Sequence, residues 1–152
     1  MKELKVSKIK QGTVIDHIKG GLAPTVLRIL GIGKGFKTTV IVAMNVKSRK
    51  QNTKDIVKVE NQILSEEKIN KIAIVSPNAT INIIKDFKVM QKRKVELPKE
   101  LHSLVRCPNR NCITNSSEEA ESFFITERKE PLELRCHYCE ELVEEREVEI
   151  LV

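Results

Sequence analysis

All four cysteines of this 152-residue chain fall in two clusters near its C-terminal end, Cys107-Pro-Asn-Arg-Asn-Cys112 and Cys136-His-Tyr-Cys139. The 23 residues between them are enough for a hairpin that brings two short loops together, each supplying two sulfurs. Zn2+ has no d-electron preference of geometry and is held by four thiolates in a tetrahedron. Cys107, Cys112, Cys136 and Cys139 are therefore expected to bind one structural zinc ion. A shell of four thiolates leaves no open coordination position, so such a site would hold a small module together and do no chemistry. Two disulfides are the weaker alternative, because nothing marks the chain as secreted and cytosolic thiols are kept reduced.

No other cluster supports catalysis. The Cys-x-x-Cys has no His-x-Glu to make a zinc deaminase, and no nucleophile has an evident base. Gly31-Ile-Gly-Lys-Gly35 follows a helical stretch instead of joining a strand to a helix, so it reads as a helix stop and not as a phosphate loop. His102 and His137 have no motif partner. The chain is not expected to be an enzyme.

The charge is divided. Residues 1–97 hold 20 Lys or Arg against 8 Asp or Glu, a balance of +12, whereas residues 98–152 hold 7 against 13, a balance of −6. A basic half suits phosphate-bearing ligands and an acidic half suits a basic protein surface, although solvated surface charge is the blander explanation of any one residue. Cysteine placement and charge together predict two domains, 1–97 and 98–152, with the boundary near Pro98 inside a mixed-charge linker, Lys94 to His102. The N-terminus has no apolar signal-peptide core and no run is long enough to span a bilayer, so no membrane partner and a cytoplasmic location are expected.

These residues need elements to position them. Thr13 to Ile18 and Lys37 to Val46 are β-branched and read as strands, and Leu22 to Leu30 reads as a helix with Pro24 in its first turn and Gly31 at its end. A polar, mobile connection, Lys47 to Lys54, leads to a strand at Asp55 to Glu60. Ser65 caps a helix over Glu66 to Ile74, and Ala79 to Ile84 and Phe87 to Lys92 form a hairpin around Lys85-Asp86. The order β-α-β-β-α-β, with one further strand, is that of a ferredoxin-like antiparallel sheet with both helices on one face. The fold class is α+β, this sheet followed by a small β-rich zinc-ribbon domain. Strict alternation puts Thr13, Ile15 and His17 on one face of the first strand and Val14, Asp16 and Ile18 on the other. Ile56, Lys58 and Glu60 share one side of the third strand, and Thr80, Asn82 and Ile84 one side of the fourth. A free face carrying Asn82 as an amide reader and Lys54, Lys58 and Lys92 as cations has the groups a nucleotide requires.

In order along the chain, Gly12-Thr-Val-Ile-Asp-His-Ile18, Lys54-Asp-Ile-Val-Lys-Val-Glu-Asn61, Thr80-Ile-Asn82 and the two cysteine knuckles resemble the regulatory chains of aspartate carbamoyltransferase. The resemblance implies a non-catalytic subunit with an allosteric domain that binds CTP or ATP and pairs with a second regulatory chain. It also implies a zinc domain that grips the catalytic chain of a trimer. Carried over by position, the nucleotide would lie against Lys8, Ile9, Val14, Asp16, His17, Lys58, Asn82, Ile84, Phe87, Val89 and Lys92. Lys58 and Lys92 would face the phosphates. A zinc-ribbon protein that binds nucleic acid is the competing reading, supported by the basic half. It is disfavoured because the third strand has no aromatic residue on which bases could stack and the chain has only five aromatics.

Overall fold

The computed structural model describes residues 8–152, and the chain divides after Glu96 into two compact units. The first is built on a five-stranded antiparallel sheet of order β2-β3-β1-β4-β5. Its elements run β1 (Gly12–Lys19), α1 (Ala23–Ile29), β2 (Val40–Lys47), β3 (Thr53–Glu60), α2 (Glu66–Val75), β4 (Thr80–Lys85) and β5 (Lys88–Lys94). This is the expected ferredoxin-like arrangement with β5 added beyond β4. Both helices lie over one face. Val26 and Ile29 of α1 and Ile69, Ile72 and Ala73 of α2 are buried with Ile15, Ile18, Val57, Val59 and Ile81 of the sheet.

Local chemistry sets the helix ends. Pro24 sits in the first turn of α1, where its missing N–H has no helical partner to lose. The helix closes when Ile32 N–H reaches Leu27 O and Gly31 N–H reaches Arg28 O, with Gly31 in the left-handed region at φ 72. The Ser65 hydroxyl accepts from Lys68 N–H at 3.3 Å, and Glu66 and Glu67 complement the α2 dipole. Gly12 opens β1 at φ 137 because there is no room for a side chain; a Cβ there would overlap the Val59 carbonyl oxygen.

Simple alternation fails in β1. Ile15 pairs with Val57 and Ile18 with Asp55, so three steps along β1 match two along β3, and His17 takes φ 58 in the bulge. Thr13, Ile15 and Ile18 consequently face the core, while Val14, Asp16 and His17 are only part-buried. The expected grouping of Ile18 with Asp16, and of His17 with Ile15, is corrected by that one inserted residue. Phe87, expected in a strand, stands instead in the β4–β5 turn at φ 65 after Asp86 at φ 52, held by its N–H to Lys10 O.

The second unit contains a four-stranded sheet, β10-β9-β8-β6, and a two-stranded one, β11-β7. Here β6 is Glu100–His102, β7 Val105–Arg106, β8 Phe123–Lys129, β9 Leu132–Cys136, β10 Leu142–Glu144 and β11 Glu149–Ile150. Leu101, Val105, Phe124, Leu134 and Val143 form its fully buried core. Glu100 to His102, read from sequence as linker, thus form a strand paired with β8. No helix among the described residues is long and apolar enough to cross a membrane.

Candidate functional site

The helix-free face of the first sheet is organised in rows across the strands. One row runs Ile41, Lys58, Val14, Asn82, Lys92, each residue opposite the next on the neighbouring strand. Two lysines from β3 and β5 therefore flank a narrow apolar and amide floor. The row on one side holds Glu60, Gly12, Ile84 and Val89, and the row on the other holds Asp16, Thr80 and Lys94. The face has polarity as a result. Its β4–β5 turn end exposes Phe87 at 56% and Val89 at 57%, while its β1 bulge end carries Asp16, His17, Lys54 and Lys94.

The bulge end is a connected polar cluster. Lys54 Nζ lies 2.9 Å from Asp16 Oδ1, which also accepts from His17 N–H at 2.6 Å, and His17 Nδ1 lies 3.2 Å from Thr80 Oγ1. Burial lowers the His17 pKa from its ordinary value, and the charges of Lys54, Lys50 and Lys92 lower it further against the opposing pull of Asp16. Burial likewise lowers the Lys58 ammonium, with Asp16 opposing and Lys8 assisting. Asn82 spends one amide hydrogen on Val14 O at 3.4 Å.

In the second unit the β8–β9 hairpin carries Cys136 to the knuckle of Cys107 and Cys112. The first knuckle is shaped by Asn115 Nδ2, which donates to Cys107 O and Asn109 O at 2.8 Å each, and by Cys112 N–H to Asn109 O. The second closes with Glu140 N–H to Cys136 O, Glu140 standing at φ 63. All four sulfurs lie within 4.8 Å of one another, and the pairs Cys107–Cys139 and Cys112–Cys136 are each 3.7 Å apart. A tetrahedron with metal–sulfur bonds of about 2.3 Å has edges of about 3.8 Å, so this donor set fits a tetrahedral metal ion. Burial pushes the Cys107 and Cys136 thiols up. At Cys112 the same burial effect is outweighed by hydrogen bonds from the Thr114 hydroxyl and N–H, which bring it down to about 7.

Comparison with known proteins decides the family. Residues 4–96 match a family model described as the aspartate carbamoyltransferase regulatory chain, allosteric domain, and residues 99–149 match its metal binding domain. Among relatives named aspartate carbamoyltransferase regulatory chain, that of Pyrococcus abyssi is 54% identical over 149 residues, covering 97% of each chain. The Methanopyrus kandleri chain is 49% identical over 150 residues, 98% of this chain and 96% of its own. That of Saccharolobus solfataricus is 51% identical over 146 residues, 96% and 92% of the two chains. The chain belongs to the aspartate carbamoyltransferase regulatory chain family. It is thus of a regulatory, non-catalytic type, in an enzyme of pyrimidine biosynthesis, and associates with the catalytic chain.

In this regulatory chain the residues expected around a nucleotide divide by accessibility. Val14, Asp16, His17, Lys58 and Lys92 stand on or beside the helix-free face with part or most of the side chain open. Asn82 and Ile84 form its floor at 8% and 9% exposure, and Ile9 is buried at 2%. Lys8 is exposed ahead of β1. Sequence reasoning missed Asp55 and Gln51. The Asp55 carboxylate is fully buried and accepts from Gly21, Ala23 and Asn45 N–H at 2.9, 2.8 and 2.9 Å, tying the entry of α1 to β2 where its register against β3 shifts between Ala43 and Val46. A carboxylate at the first position of the expected strand Asp55 to Glu60 was the only signal, and it named no partner. His137, between two sulfur donors, stacks on Phe123 with ring centroids 4.5 Å apart.

Proposed function

We propose that this regulatory chain binds a nucleotide effector, CTP or ATP, on the helix-free face of its first unit and transmits that binding to catalytic trimers. The row Lys58, Val14, Asn82, Lys92 carries the reading, because it sets two cations around an apolar and amide floor on a face that no helix among the described residues covers. The base lies toward the exposed Phe87 and Val89, where Glu60 would repel phosphate. The phosphates lie toward His17 and Lys92 with Lys58 beside them and the Asp16–Lys54 pair at the same end, and Asn82 lies near the base and sugar. Lys8, Ile9 and Ile84 complete the surround.

Zinc is the metal of the second unit in this reading: four thiolates at tetrahedral spacing, three buried and Cys139 half-buried, suit it, and a closed shell makes it structural. Cys107, Cys112, Cys136 and Cys139 hold it, fixing the knuckles that meet the catalytic chain. The acidic balance of this unit suits a basic partner surface. Two regulatory chains form a homodimer through their first units, a role supported by β2, an edge strand that exposes Val42 at 39% and Met44 at 43%. The location is the cytoplasm.

An effector shifts an assembly only through its different affinities for two states, typically ~1 to 3 kcal/mol. Kinetics of the enzyme reconstituted with Lys58→Ala test the assignment. The nucleotide response should weaken while activity without effector stays the same; an unchanged response removes Lys58 from the site.

A further inference from the structure

The connection between β2 and β3 is stitched to the bulge end of the same face. Gln51 Nε2 reaches Ile18 O at 3.2 Å, Thr53 O at 3.3 Å and His17 O at 3.5 Å. The Ser48 hydroxyl accepts from Lys50 N–H at 3.3 Å and Gln51 N–H at 3.4 Å, and Ser48 N–H reaches Asn52 O at 3.3 Å. One side-chain amide therefore gathers carbonyls from the bulge residue His17, from Ile18 just after it and from the start of β3. The bulge it grips is the one that turns His17 toward Thr80 and leaves Asp16 to Lys54.

The loop so fixed carries Arg49 and Lys50, both exposed. Lys50 is the residue next to Gln51, whose amide meets the His17 and Ile18 carbonyls, so the docked loop carries its cation at the bulge end of the face, where the phosphates lie. The side chains at positions 58 and 92 lie in the central row, one row further from the bulge. A single phosphate held there would leave the loop without a ligand, whereas a chain of phosphates extends toward it.

We infer that Gln51 is a positioning residue that docks the β2–β3 loop on the β1 bulge so that Lys50 meets the terminal phosphates of a nucleoside triphosphate. The inference rests on the nucleotide reading above and adds to it a means of telling triphosphate from monophosphate. Gln51→Met keeps the length of the side chain and removes its donors; Lys50→Gln removes only the loop charge.

The test is calorimetric titration of the metal-loaded full chain with CTP and with CMP at one ionic strength, for the parent, Gln51→Met, Lys50→Gln and Lys92→Ala, with the melting temperature of each. Both loop variants should lose roughly tenfold in CTP affinity, the scale of one charge-assisted contact, while CMP changes by less than about twofold. Lys50→Gln should melt with the parent. Equal losses for CTP and CMP, or a CTP-over-CMP preference that survives both loop variants, overturn the inference while leaving the nucleotide site standing. A parent that binds neither nucleotide, or binding indifferent to Lys92→Ala, removes the site itself and this inference with it.

Discussion

His17 is where charge, burial and backbone geometry meet. Its folded pKa lies below the ordinary 6.5, so the unfolded chain takes up a proton first as pH falls. The associated stability is fully present above the unfolded value and is lost as pH drops through the window beneath it. Melting temperatures followed from about pH 7.5 to about pH 5.5 should fall more steeply for the parent than for His17→Gln. Parallel curves would show that His17 carries no such linkage. Phosphates placed beside the imidazole would favour its protonated form, so nucleotide binding in the same window should be accompanied by proton uptake.

The elements that hold these residues were legible to different degrees. The cap at Ser65, the glycine stop at Gly31 and the β-branched strands follow from local propensity, which is why element order and sheet topology could be read in advance. The cysteine set was equally legible, since spacing and ligand chemistry leave few alternatives. The two bulges were not. The β2 bulge is held by Asp55, a β3 residue whose carboxylate satisfies the Asn45 N–H along with those of Gly21 and Ala23, and the β1 bulge shows only in its pairing with β3; neither leaves a trace in the local pattern. Strict alternation therefore misplaced Ile18 and His17. Replacing Asp55 by alanine leaves three buried or part-buried donors without their partner, and chemical denaturation should register a loss on the order of 3 kcal/mol. A loss below about 1 kcal/mol would mean that water or relaxed backbone takes over those bonds.

At the scale of the whole molecule, the two units carry opposite charge and different sources of stability. The first has a five-stranded sheet and two helices to bury its core, while the second has short strands and a cluster of four thiols. Small domains of this kind rely on metal, and the binding free energy of the ion is folding free energy. Treatment with a strong chelator should abolish amide-exchange protection around Leu134 and Val143 and leave that of Val57 and Val59 in place. Persistence of the second-unit protection without metal would contradict a structural role for the ion. Reassociation with the catalytic chain should be lost in parallel, because the knuckles are the parts the ion fixes.

The central claim is that a basic, helix-free face binds a nucleotide through specific contacts and not through charge alone. Titration of the metal-loaded chain with CTP, with ATP and with a short single-stranded RNA at one fixed salt concentration tests it most directly. Saturable binding in which CTP and ATP compete, with little RNA bound, is the predicted result. Strong, salt-sensitive RNA binding without a saturable nucleotide site would contradict it, and would make the charge of the first unit a nucleic-acid surface instead.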